Sequence, residues 1–147
     1  MKNNYWLKLI ILLVFSFGIT SQVSASNSIT VTQGYIKASI PGSDVTAAYM
    51  TINNHGKKAI TLQKITSELS ARIEIHQHSM ANGMMTMRQV DQVIIKAKSK
   101  VVLQPSDLHL MIFSLKQKIT EKDVISLTLH FTNATKIKIQ LPVSKYK

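Results

Sequence analysis

The 147-residue chain contains no cysteine. Disulfides are therefore excluded, and so are blue-copper and iron–sulfur sites, which need thiolate ligands. Stability has to come from an apolar core. Acidic residues are also scarce, seven in all and dispersed, which argues against catalysis by paired carboxylates. A Gly-x-Ser-x-Gly nucleophile elbow is missing. Ser106, Asp107 and His109 lie too close along one stretch to align as nucleophile, acid and base. No stretch shows helical periodicity, an internal repeat or low complexity. These absences leave little room for an enzyme, and none is expected.

The N-terminal residues read as a secretory signal. Lys2 and Lys8 form a basic start, Leu9 to Phe17 an apolar run, and Val23-Ser24-Ala25 a small-residue cleavage pattern before Ser26. The apolar run is shorter than the roughly 20 residues of a membrane-spanning helix, so a cleaved signal over 1–25 is favoured over a retained anchor. Residues 26–147 then form one domain of 122 residues, without stable membrane insertion. The net charge is +11, falling to +9 without Lys2 and Lys8. The remaining lysines are scattered (57, 58, 96, 98, 100, 136 and 138 among them) with no recognition helix or aromatic platform. A nucleic-acid partner is not expected.

What the chain has in quantity is period-two alternation. Segments 29–39, 46–54, 59–67, 71–79, 84–90, 100–104, 109–115, 124–131 and 135–143 alternate and are rich in β-branched residues. Turn chemistry separates them at Pro41-Gly42-Ser43-Asp44, Asn54-His55-Gly56, Asn82-Gly83 and Pro105-Ser106-Asp107. About nine short strands at this spacing predict an all-β, antiparallel sandwich or barrel.

Residues 76–87, "HQHSMANGMMTM", hold two of the five histidines and four of the seven methionines. Asn82-Gly83 is a two-residue hairpin signal. A turn that tight pairs Ala81 with Met84, Ser79 with Thr86, His78 with Met87 and Ile75 with Val90. Opposed residues share a face. Ile73, Ile75 and Val90 then face the core, and His76, His78, Met85 and Met87 face away. The tight register sets His78 opposite Met87 and His76 diagonal to it; a looser loop changes which histidine is closer. In "DLHLMIF", Leu108, Leu110 and Ile112 point inward, and His109 and Met111 point together the other way. Two His/Met clusters without cysteine suit a soft ion such as Cu(I). The competing reading is a Met-rich exposed loop, with His78, Met80, Met84 and Met85 either auxiliary ligands or plain surface residues. His55 and His130 are read as structural.

These residues resemble the periplasmic PCu(A)C-type copper chaperones. The family signature is His, ten residues, Met, twenty-one residues, then His-x-Met, and His76, Met87, His109 and Met111 reproduce that spacing. "TAAYMTINN", "NGMMTMRQV" and "VVLQPSDLHLMIFSL" also look like the family, and the similarity runs over about residues 31–143. The resemblance implies a cupredoxin-like β-sandwich holding one Cu(I) at His76, Met87, His109 and Met111. It further implies a monomeric periplasmic protein that passes copper to the Cu(A) subunit of cytochrome c oxidase or to a Sco-type assembly protein. Two departures stand out. Pro105-Ser106-Asp107 replaces a frequent Pro-Gly-Gly, with Asp107 a possible support for the site, and Met111-Ile112-Phe113-Ser114 replaces Met-Leu-Met-Gly. The rival functions are an exported interaction module with a Met-rich hairpin, and a general copper-buffering or tolerance protein.

Overall fold

Alternation in the sequence becomes burial in the fold most plainly in the strand Val124–Phe131, where Ile125, Leu127, Leu129 and Phe131 are buried and Val124 is exposed. A computed structural model describes residues 28–81 and 83–145 of the chain. The expected signal segment lies outside the described residues, and so does Asn82 of the hairpin turn.

Among the described residues ten strands form in chain order: β1 Ile29–Lys37, β2 Thr46–Asn54, β3 Ile60–Thr66, β4 Arg72–Ala81, β5 Met84–Val90, β6 Val93–Ile95, β7 Ser99–Leu103, β8 His109–Phe113, β9 Val124–Phe131 and β10 Lys136–Ser144. The one not anticipated is β6. Its three residues are too few to show a period, yet Val93 and Ile95 are buried about an exposed Ile94 and pair with β3. The strand containing His109 also ends earlier than its apolar pattern suggests. Ser114 takes a left-handed conformation, φ 50°, which stops β8 at Phe113.

The strands run β5-β4-β8-β2-β1-β10-β9-β3-β6, with β7 also on β2. β1 and β10 join two antiparallel layers through a short parallel pairing, Ile36 with Val143 and Lys37 with Ser144. β2 shares one edge between two partners: Thr46–Ala48 pairs with β8, and Met50–Asn54 with β7. Being flanked on both edges, β2 is almost wholly buried. Ile36, Ile52, Leu62, Ile95, Leu110, Ile112, Leu127 and Leu129 form the centre of the core and expose nothing. The architecture is the all-β, mainly antiparallel arrangement that the alternation predicts, and it agrees with the cupredoxin-like sandwich that the resemblance implies.

Two details fix the geometry. The β1–β2 register shifts between Thr32 and Tyr35, with Gln33 at φ 54°. Gly34 sits in this bulge because a Cβ there would lie 2.3 Å from Leu141 Cδ2. The buried Asn54 ties three segments together. Its Nδ2 donates to the carbonyls of Lys58, Ile95 and Lys96 at 2.8–3.1 Å, and its Oδ1 accepts the Gly56 amide at 2.9 Å. A buried amide with both ends satisfied costs little and pins the loops around it.

Candidate metal centre

The site is built where β5, β4 and β8 lie side by side. The β4–β5 register is the tight-turn one: Ile75 opposes Val90, His78 opposes Met87, Ser79 opposes Thr86, Met80 opposes Met85 and Ala81 opposes Met84. Gly83 contributes φ 77°, a value that suits glycine in a hairpin turn. On the other edge of β4, His76 opposes His109 and Glu74 opposes Met111. Ile75, Leu110 and Ile112 are buried in the core, with Ile73 and Val90 packed against it. The opposite face therefore carries Glu74, His76, His78 and Met80 on β4, Met85 and Met87 on β5, and His109 and Met111 on β8.

The register gives His76 a particular place on this face. His109 is directly opposite it on β8, Met111 is its diagonal neighbour there, and Met87 is its diagonal neighbour on β5. Diagonal partners are within reach of long side chains. His78 is opposite Met87 and diagonal to His109, but two rungs from Met111. His76 is thus the common neighbour of the other three residues selected by the signature spacing. The imidazole of His78 nevertheless comes close, 5.1 Å from His109 between ring centroids against 6.2 Å for His76.

The hydrogen bonds decide which imidazole nitrogens carry lone pairs. His109 Nδ1 lies 2.7 Å from the Asp107 carbonyl, which only accepts, so Nδ1 holds the proton and Nε2 is left as the donor nitrogen for a metal. His76 Nε2 donates to Glu74 Oε2 at 2.8 Å, and Arg72 Nε donates to Glu74 Oε1 at 2.7 Å. These two bonds hold the Glu74 carboxyl below its ordinary value, that from His76 contributing most. An ionised carboxylate accepts from Nε2–H, so in the neutral ring Nδ1 bears the lone pair. Nδ1 of His76 and Nδ1 of His78 are both buried without a hydrogen-bond partner. A buried unpaired nitrogen costs free energy unless something coordinates it. Among the described residues, no three His, Cys, Asp or Glu side chains are placed to hold a metal by themselves. A donor set of three or more on this face would have to include thioethers.

His109 points away from the core as expected, yet it is 3% exposed. The rings of Tyr49, His76 and His78 stand 5.1–6.3 Å from it and cover it. This burial pushes its pKa down, and the two histidines add to the effect against the opposing hydrogen bond to Asp107. His109 is therefore kept neutral, the form that ligates. Met87 is about half exposed, so the face grades from a covered floor to an open rim.

Sequence reasoning missed Glu74, Arg72, Tyr49 and Phe113. Glu74 lies two residues before His76 on the same strand face, a period-two signal that identifies the neighbour but not the bond. Phe113 stands where the family run has its second methionine. It packs on the His76 ring at 5.9 Å and receives the Arg72 guanidinium at 4.5 Å. The backbone shows how the loop tolerates its departures. Ser106 and Ser114 occupy family glycine positions and keep left-handed φ values of 63° and 50°. Asp107 supports His109 through its main-chain carbonyl, while its carboxylate accepts from Gln104 at 3.4 Å. His55 and His130 are held by Thr30 and Thr66 at 2.9 and 2.8 Å, away from the cluster.

The fold is that of the PCuAC class of β-sandwich domains. It superposes on the copper-bound PCuAC domain from PmoF2 with a TM-score of 0.68 at 17% identity, covering 80% of this chain and 92% of that domain. With Cu(I)-bound DR1885 of Deinococcus radiodurans the TM-score is 0.65 at 25% identity, covering 86% of each chain. The chain belongs to the LpqE-like family, described as "Putative lipoprotein LpqE-like", which it matches over residues 29–143. It is also 27% identical over 122 residues to "Putative lipoprotein Lxx21020" of Leifsonia xyli subsp. xyli, a match covering 82% of this chain and 72% of that protein.

Proposed function

We propose that this protein is an exported copper chaperone that holds one Cu(I) at His76, Met87, His109 and Met111 and releases it by ligand exchange. The observation that carries this reading is the pair of lone-pair nitrogens on a face that also bears thioethers: buried, unpartnered His76 Nδ1, and His109 Nε2 freed by the bond to Asp107. Soft Cu(I) accepts two imidazoles and two thioethers because it imposes little geometry, whereas Zn(II) gains little from thioether sulfur. The copper-bound relatives PmoF2 and DR1885 support the same cargo. The lipoprotein names of the family and of the Leifsonia relative support export, with the periplasm as the compartment.

A half-exposed Met87 above a buried His109 suits transfer. An acceptor can displace the outer sulfur first, while the inner nitrogen keeps the ion from escaping. The chain acts as a monomeric carrier and makes or breaks no covalent bond in its cargo's acceptor. The acceptor class is the Cu(A) subunit of cytochrome c oxidase or a Sco-type protein. The test is anaerobic titration of the purified protein against a Cu(I) chelator. Retention of Cu(I) at His109, read from its ring NMR signals, is the expected result. No binding above background would overturn the proposal.

A further inference from the structure

The signature residues leave part of the same sheet face unused. Met80 and Met85 are directly opposed across the β4–β5 hairpin, one rung beyond the His78–Met87 pair. Both are largely exposed, 67% and 63%. An exposed apolar pair gains little from burial, so packing does not explain why two thioethers are opposed at this rung. His78 lies on the same face, two residues before Met80 and diagonal to Met85. Its Nδ1 is buried and lacks a hydrogen-bond partner. Directly opposed strand residues have Cβ atoms about 5 Å apart, and a methionine has three rotatable bonds, so both sulfurs can meet over the His78 ring.

We infer that Met80, Met85 and His78 form a second, outer Cu(I) site that loads the inner one. It would offer two thioethers and one imidazole, a three-coordinate set suited to a soft monovalent ion. Its exposure makes it fast to fill and fast to empty. The inner site is better held, since His76 is braced by Glu74 and His109 by Asp107. Met87 faces His78 across the hairpin and is a diagonal neighbour of His76, so it stands between the two sets. Transfer inward is stepwise ligand exchange: the Cu–Met87 sulfur bond forms as the Cu–Met85 bond breaks, Cu–His76 forms as Cu–Met80 breaks, Cu–His109 forms as Cu–His78 breaks, and Met111 completes the inner set. Copper remains Cu(I) throughout, since only dative bonds are exchanged.

This inference rests on the inner-site reading, and one experiment separates the two. The purified protein is titrated anaerobically with Cu(I) while the methionine methyl resonances are followed by NMR, beside the double variant Met80→Leu/Met85→Leu. Leucine keeps the exposed apolar bulk and removes both donors, and circular dichroism checks that the variant is folded. The expected result is two equivalents, the first moving Met87 and Met111 and the second moving Met80 and Met85. The variant should lose the second equivalent and hold the first within about twofold of the parent. Saturation at one equivalent with Met80 and Met85 unmoved overturns the outer site and leaves the chaperone reading standing. Retention of both equivalents by the variant overturns it as well. If the parent protein binds no Cu(I), both proposals fall together.

Discussion

β8 presents two faces made of alternating residues, and they are built to different rules. Leu110 and Ile112 expose nothing and are held by a core that surrounds them. His109 and Met111, one residue away each, are held by a few directed contacts: the Asp107 carbonyl, the Tyr49 ring and the β4 side chains opposite. The apolar face is stable because many neighbours share the load. The polar face owes its arrangement to particular bonds, and the β4 histidines beside it keep buried unpaired nitrogens. Stability and ligand chemistry are therefore separable within five residues of one strand.

The largest effect should come from breaking the inner face. Leu110→Ala removes a fully buried side chain and should cost about 2–5 kcal/mol of stability, measured by urea unfolding. A loss below about 1 kcal/mol would show that the core closes over the gap and is looser than its burial suggests.

The opposite outcome is expected on the outer face. Met87→Ala combined with Met111→Ala should change stability by only about 1 kcal/mol. Cu(I) affinity should fall by more than about a hundredfold, exceeding the loss typical of removing a group that merely supports a ligand. Weak Cu(II) binding through His76 and His109 should remain. Parallel Cu(I) and Cu(II) titrations decide the matter, and a folded variant with native Cu(I) affinity would remove both methionines from the ligand set.

A finer comparison sets His76 against His78. His76→Ala should weaken the first Cu(I) equivalent about tenfold more than His78→Ala, because only His76 neighbours His109, Met87 and Met111 together. Equal losses, or a greater loss at His78, would give the site to the histidine whose ring is closer to His109.

The smallest effect concerns the loop that aims His109. Ser106→Gly relieves a left-handed non-glycine residue, worth about 1–2 kcal/mol, and forfeits about 0.5–1 kcal/mol through a more flexible unfolded chain. A net gain of about 0–1.5 kcal/mol is expected in urea unfolding. Marked destabilisation would mean that the Ser106 side chain contributes to the loop.

The amino-acid sequence by itself determined the all-β class, offered the tight β4–β5 register as one of two, and set His76, His78, Met85, Met87, His109 and Met111 on the strand faces turned from the core. These follow from a period of two and an Asn-Gly turn, both of which are local. Strand β6 was hidden because three residues show no period. The tertiary structure alone decided which strands became neighbours, since pairing β4 with β8 joins residues more than thirty positions apart. That pairing set His76 against His109, and the pairing of β2 with β8 brought Tyr49 beside the latter. The Glu74 bond that leaves His76 Nδ1 free depended on side-chain rotamers as well as on period. Covering His109 needed three rings from two other strands at once, so its burial and depressed pKa belong to the assembled sheet and to no segment of it.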